Sequence, residues 1–300
     1  MTNELLKQLK EKYKALGENP ETYLKGLLHA KPLNYWDYIE VDTLLDLQKP
    51  KTDFKDETVF IVYHQITELT LKLMIHELKQ INAHEDFSSE QFFAEKLKRL
   101  IRYTDMLITS FEVMTEGLDY DDYNQFRLAL APASGFQSAQ FRYLELMCTP
   151  VINLVNNEGK KRLTSSPELD EIFENIYWRD AGYNRKTGKT SYTLKAFEEK
   201  YLLSFKSLAK STRGKTVWEQ FLKFEDPSEN LIFRMKDFDH QYNVKWSKTH
   251  LKTATKYLDK KGKTKKATGG SPWKKYLHPK HQQRSFFPNL WKKENILDWV

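Results

Sequence analysis

Apolar residues in this chain recur at spacings of three and four, and strict alternation is hard to find anywhere, so the pattern is that of helix and not strand. The opening stretch MTNELLKQLKEKYKALG predicts a charged amphipathic helix over about 2–16, and a second short one follows near 20–29. In LNYWDYIEVDTLLDLQKP, residues 33 to 50, the positions of Tyr35, Tyr38, Ile39 and Leu45 predict one short helix ending near Pro50. The next element, DETVFIVYHQITELTLKLMIHELKQI, is apolar nearly all round, as expected of a helix at the centre of a bundle. Asp53 or Asp56 is available to cap it.

Residues 90–116 predict another long helix, which Gly117 closes. Acids at 119, 121 and 122 begin the following one, as the helix dipole favours. After an Ala-Pro-Ala-Ser-Gly break at 131–135, a helix runs through 137–147. A last long helix covers about 227–258, before the basic glycine loop and short helix of DKKGKTKKATGGSPWKKYL. Between these, residues 157–225 are polar and lysine-rich, with Gly and Ser punctuation, yet YTLKAFEEKYLLSFKSL keeps helical periodicity. This stretch reads as a small, less tightly packed helical insertion within one all-α domain spanning 1–300. No internal repeat is visible at periods of 20 to 50 residues.

Composition supports a helical protein with a sizeable core: 40% of the 300 residues are hydrophobic and 14% aromatic, with only 11 Gly and 10 Pro. Cys148 is the one cysteine, which excludes an intrachain disulfide and a cysteine zinc cluster. The N-terminal stretch is too charged for a signal sequence, and no apolar run approaches the roughly 20 residues that span a bilayer. A cytoplasmic location with no membrane contact is the expectation. The net charge of +7 raises the question of nucleic acid, but the surplus is local. Residues 245–266 hold nine lysines against one acid, Asp259, without interleaved aromatics or a nucleic-acid signature. They read as a solvated helix face running into a loop, with no nucleic-acid partner expected.

Candidate chemistry lies in a few places. Phe60, His64 and Thr67 or Glu68 share one face of the 56–81 helix. A histidine there serves equally as a hydrogen-bonded core residue. His250 has the same ambiguity, with Trp246 one turn before it, and His76 and His240 have nothing distinctive at helical spacing. Arg127 stands among apolar neighbours with Tyr123 one turn earlier, in a helix that must end before Pro132. Its guanidinium suits either a bidentate carboxylate clamp completed by the Ser134 hydroxyl or an ion pair with a neighbouring glutamate. ATGG at 267–270 is no phosphate loop, but Thr268 could close over an anionic ligand.

Taken together, these stretches resemble the tryptophan 2,3-dioxygenase family. The matching strings are YWDYIEVDTLLDLQ, FIVYHQITELTLKL, FRLALAPASGFQS, and WSKTH followed by TGGS; FRLALAPASGFQS is the most specific. The resemblance implies a helical bundle enclosing a haem pocket, with haem b held through its iron by His250 and O₂ as co-substrate. It implies that His64 sits near the indole N–H of L-tryptophan and that Arg127 pairs with the substrate carboxylate. Ser134 would lie in the turn beside the haem, and Phe60 and Tyr123 would line the pocket. Tyr35 and Tyr38 would reach the pocket of a neighbouring subunit in a homotetramer, and Thr268 would belong to a loop closing over the substrate. The implied reaction cleaves the indole C2–C3 bond with O₂ to give N-formyl-L-kynurenine; the alternative is a related haem oxygenase acting on another indole or aromatic amino acid. Ala267 replaces the glycine usual before Thr-Gly-Gly, Pro272 and Trp273 follow the serine, and the lysine-rich link from His250 to Thr268 is long for the family. Trp36 stands where a smaller residue is common. These departures bear on loop closure and substrate fit.

Overall fold

Helix α5 (Asp56–Asn82) runs unbroken for 27 residues because it contains no Gly or Pro. It buries Tyr63, Leu71, Met74, Leu78 and Ile81 against its neighbours. Neither Asp53 nor Asp56 caps it: the residue before the helix is Lys55, with no side-chain cap bond. Asp56 instead accepts the backbone N–H of Asp119 at 2.6 Å, which ties the start of α5 to the turn after the next helix. The computed structural model describes residues 2–131, 133–260, 263–265, 273–279, 284–291 and 295–299. They fall into two compact units, residues 1–49 and 50–300.

The first unit comprises α1 (Thr2–Ala15), α2 (Pro20–Leu27), α3 (Tyr35–Ile39) and α4 (Val41–Leu45). The single short helix expected between 33 and 50 is thus two. Glu40 separates them in the left-handed conformation (φ 54°), which turns the chain and breaks the hydrogen-bond ladder.

In the second unit α5 packs on α6 (Gln91–Thr115) and on α8 (Ala139–Cys148). Gly117 follows α6 because a Cβ there would lie 2.4 Å from the carbonyl oxygen of Val113. Helix α7 (Tyr120–Ala129) starts as the acids indicate: the Asp119 carboxylate accepts from the N–H groups of Asp121 and Asp122, both at 2.9 Å. The all-round apolar character of α5 does not place it wholly inside. Val62, Ile66, Leu69 and Leu73 form a stripe on its outer face, each 37–47% exposed.

The 157–225 stretch carries α9 (Asn157–Lys160), α10 (Leu169–Glu174), α11 (Tyr192–Ser211) and α12 (Val217–Phe221). Residues Tyr183–Asn184 and Lys189–Thr190 add a two-residue antiparallel hairpin. Loose packing is not what is found. Phe197 and Phe205 of α11 and Trp218 and Phe221 of α12 are buried in the main core, and α11 lies on α8. The lysines occupy the outer face, which makes the segment read as more polar than its inner face is.

The helix expected over 227–258 is interrupted. Helix α13 (Glu229–His240) passes through a π turn, Gln241–Lys245, into α14 (Trp246–Leu258). Both α13 and α14 pack on α6. A second antiparallel pair, Asp259–Lys260 with Lys263–Thr264, and helix α15 (Trp273–Leu277) follow. No helix among the described residues is long and apolar enough to cross a membrane.

At the end of α13, His240 is buried, and burial together with Lys245 and Lys248 pushes its pKa down from 6.5 to about 4. The unfolded imidazole therefore takes up a proton below about 6.5 while the folded one stays neutral, so this residue removes stability as pH falls toward 4. Urea unfolding at steps across that window should show a shallower loss of stability for His240→Gln than for the wild type.

Candidate functional site

Phe60 and His64 stand one turn apart on α5, their rings 4.1 Å apart. His64 Nδ1 lies 2.7 Å from the Phe60 carbonyl oxygen. A carbonyl only accepts, so Nδ1 carries the proton and Nε2 is left as an acceptor. Burial lowers the His64 pKa below 6.5, opposed by the Phe60 hydrogen bond and by the charge of Glu68. At neutral pH the imidazole is therefore uncharged, with one basic nitrogen. Glu68 is itself held from α8, where Gln140 Nε2 donates to its carbonyl oxygen at 2.7 Å and to its carboxylate at 2.8 Å.

His250 comes from α14 on the other side. Its ring stands 5.3 Å from Phe111, which is 5.4 Å from Tyr63, which in turn meets His64 edge-on at 5.2 Å. Desolvation, joined by the nearby His64, pushes the His250 pKa down to about 4. Even so, the residue keeps exposed surface. The ring is desolvated by its neighbours yet keeps accessible surface, so it can still be approached by a ligand.

Helix α7 adds the third wall. Tyr123 and Phe126 pack against Phe60 at 6.1 and 5.6 Å, and Tyr123 lies 4.8 Å from Tyr257 of α14. The Arg127 guanidinium sits 5.9 Å from the Tyr123 ring centroid and is buried, one turn further along the same face. Ser134 caps a tight turn, Gly135–Gln137: its side chain accepts from Phe136 N at 3.4 Å, and Gln137 returns a bond to the Ser134 N–H. The Ser134 hydroxyl thus has a structural duty as an acceptor while keeping a proton to donate. Gly135 needs neither a left-handed backbone nor a close neighbour, since a Cβ there would meet nothing within 4 Å. Open space lies over this turn.

Of the residues expected from the sequence, Phe60, His64, Tyr123, Arg127 and His250 are linked by one chain of ring contacts. Tyr35 and Tyr38 belong to the first unit and are 72% and 73% exposed. Thr268 lies outside the described residues. Among the described residues no group of three or more His, Cys, Asp or Glu is arranged to hold a metal ion. One histidine is all that an iron carried in a macrocycle requires of the chain.

The family model for tryptophan 2,3-dioxygenase matches residues 26–178, just over half of the chain. The chain belongs to the tryptophan 2,3-dioxygenase family. The tryptophan 2,3-dioxygenase of Ruegeria sp. (strain TM1040) is 29% identical over 269 residues, covering 87% of this chain and 92% of its own length. That of Bacillus anthracis is 27% identical over 290 residues, covering 91% and 97%. Over a shorter stretch of 130 residues, 39% of this chain and 31% of the relative, that of Sorangium cellulosum (strain So ce56) reaches 43% identity. As a family member the protein is a dioxygenase, an enzyme that uses O₂.

Several residues that shape this candidate site carry no motif. Phe111 and Tyr63 connect the two histidines, and nothing in their local spacing distinguishes them from core aromatics. Tyr257 is another. Its hydroxyl donates toward the carbonyls of Met114 at 2.6 Å and Leu118 at 3.0 Å, fastening the end of α6 beside the ring that touches Tyr123. The clue available was its position seven residues after His250, two turns along the same helix face. Tyr257→Phe should lower the unfolding free energy by about 1–2 kcal/mol, because it strands these buried carbonyls; an unchanged denaturation midpoint would rule out that role.

Proposed function

We propose that this enzyme is a haem b-dependent dioxygenase that inserts both atoms of O₂ across the indole C2–C3 bond of L-tryptophan, giving N-formyl-L-kynurenine. The observation that carries the reading is the meeting of two neutral histidines from separate helices at one hollow walled by aromatic rings, with the buried guanidinium of Arg127 on the same wall.

The residues present fit a haem. His250 offers an uncharged imidazole with accessible surface, the form in which histidine binds iron. One turn before His250, the buried Trp246 Nε1 has no hydrogen-bond partner among the described residues, a donor suited to an anionic edge of the cofactor. Haem held by His250 would supply the activation of O₂.

The chain's own residues bind and orient the substrate. Arg127 compensates the carboxylate, which would otherwise be costly to bring into an apolar pocket. His64 Nε2 accepts a hydrogen bond from the indole N–H, and its fixed tautomer means that it need not gain a proton to do so. Phe60 and Tyr123 give the indole flat apolar walls, and Ser134 would lie beside the cofactor. Thr268, carried over from the resemblance, would close over the amino and carboxylate groups. The balance is simple: one tryptophan and one O₂ yield one product without an external reductant.

A homotetramer belongs to the same reading. Tyr35 and Tyr38 are highly exposed and would be covered in the pocket of a neighbouring copy; the apolar stripe on α5 is a second surface that assembly would cover. A cytoplasmic setting agrees with the free, buried thiol of Cys148.

Purified protein reconstituted with hemin should show a Soret band, and the ferrous enzyme with L-tryptophan and O₂ should generate N-formylkynurenine absorbance with two oxygen atoms gained by mass. A gain of one oxygen would instead favour the alternative, a monooxygenase. Arg127→Leu should weaken L-tryptophan binding by about 10- to 100-fold, the usual scale for a lost charged hydrogen bond, while leaving the Soret band in place. His250→Ala should lose the haem; normal haem content in that variant would refute its assignment.

A further inference from the structure

Five donors converge on one buried carboxylate at the end of α13. Asp239 Oδ1 accepts Asn243 Nδ2 at 2.7 Å and the Phe286 N–H at 2.9 Å. Its Oδ2 accepts Ser285 Oγ at 2.7 Å, Trp291 Nε1 at 2.8 Å and the Phe287 N–H at 3.1 Å. Four of the five come from residues 284–291, a strap laid across the molecule far along the chain from α13. The fifth, Asn243, is the middle residue of the π turn Gln241–Lys245. One side chain thus joins the strap to the turn.

The turn stands immediately before Trp246 and His250. A π turn places an extra residue in the helical path, and one residue corresponds to about 100° of rotation about the axis. The face that α14 presents therefore depends on whether this turn is kept. If the path relaxed to continuous α-helix, His250 would be carried round away from Phe111 and the hollow.

The strap is anchored at two further places. Phe286 and Phe287 are fully buried, Phe286 against Phe238 and Tyr242, and Phe287 against Trp218. Arg284 donates to the buried Glu145 at 2.9 Å and to Tyr177, and reaches Ser247 Oγ at 3.4 Å, three residues before His250. The contacts of the strap thus bracket the turn from Asp239 to Ser247.

We propose that Asp239 is a positioning residue for His250: by binding the 284–291 strap and Asn243 on one carboxylate, it holds the π turn that sets the rotation of α14 and so the aim of the imidazole. The inference rests on the reading of His250 as the haem ligand. It differs from a purely structural role because it concerns the angle at which one ring is offered, not only the stability of the fold.

The test compares the wild type, Asp239→Asn, the double variant Ser285→Ala with Trp291→Phe, His250→Ala, and Phe93→Leu as a core variant away from the strap. Each full-length protein is loaded with hemin, and haem loss to excess apomyoglobin is followed alongside the ferrous iron–histidine stretching frequency and the melting temperature. Asp239→Asn and the double variant should lose haem about 10- to 100-fold faster than wild type, the scale seen when a partner outside the ligand shell of a metal is removed, and should shift the stretching frequency. Phe93→Leu should melt lower without either change. If Asp239→Asn does not fold, the double variant, which keeps the carboxylate and removes two donors, decides the question. Strap variants that melt lower but match Phe93→Leu in haem loss and frequency would overturn the role of Asp239 while leaving His250 as ligand. If His250→Ala held haem as tightly as wild type, the underlying reading would fall and this inference with it.

Discussion

The apolar surroundings of His64 and His250 penalise the charged imidazolium, and the rest of the site depends on that penalty. Desolvation is the largest influence on both rings and outweighs the carbonyl and carboxylate that would favour protonation of His64. A neutral imidazole offers one donor and one acceptor, and the Phe60 carbonyl uses the donor of His64. His64 is then a base of defined tautomer, supplied by backbone geometry within a single helix. The same apolar lining makes Arg127 necessary in this reading, since an amino-acid guest brings a carboxylate that rings cannot solvate.

Placement of these groups relies on small local devices between long helices. The Asp119 cap starts α7, while Asp56 binds the Asp119 N–H and keeps the beginnings of α5 and α7 together. Phe60 and Tyr123 sit one turn into those two helices, so their separation follows from that bond. Tyr257 fastens α14 to the end of α6, and the π turn sets the rotation of α14 as it leaves α13. Each device uses buried hydrogen bonds between distant parts of the chain, and these are costly to leave unmade.

The strap also takes part in a buried charged network. Arg142 and Arg284 meet Glu145 and Tyr177. Two guanidinium groups converge on one carboxylate and one phenol, and burial raises the Tyr177 pKa to about 12, so the phenol stays neutral. Such a cluster adds little net stability compared with a well-packed apolar core, but it tolerates no missing member. Its contribution is to specify where the 284–291 strap docks.

Periodicity alone determined the all-α class, the long helices α5 and α6 and the break before α8, because spacings of three and four report which residues share a helix face. The string from Phe126 to Ser138 also held the main chemical clue: an arginine among apolar residues followed at once by a turn of small ones. The two five-residue helices around Glu40, the π turn and the tight packing of 157–225 were not legible. A left-handed residue, a single extra residue in a helical path and the contacts of a polar-looking segment leave no periodic trace. Only the tertiary structure decided that His64 and His250 come near each other, that Phe111 and Tyr63 connect them, and that Asp239 ties the strap to the turn. The reason is physical: local spacing specifies faces, whereas the meeting of faces is set by packing and hydrogen bonds between segments far apart in the chain.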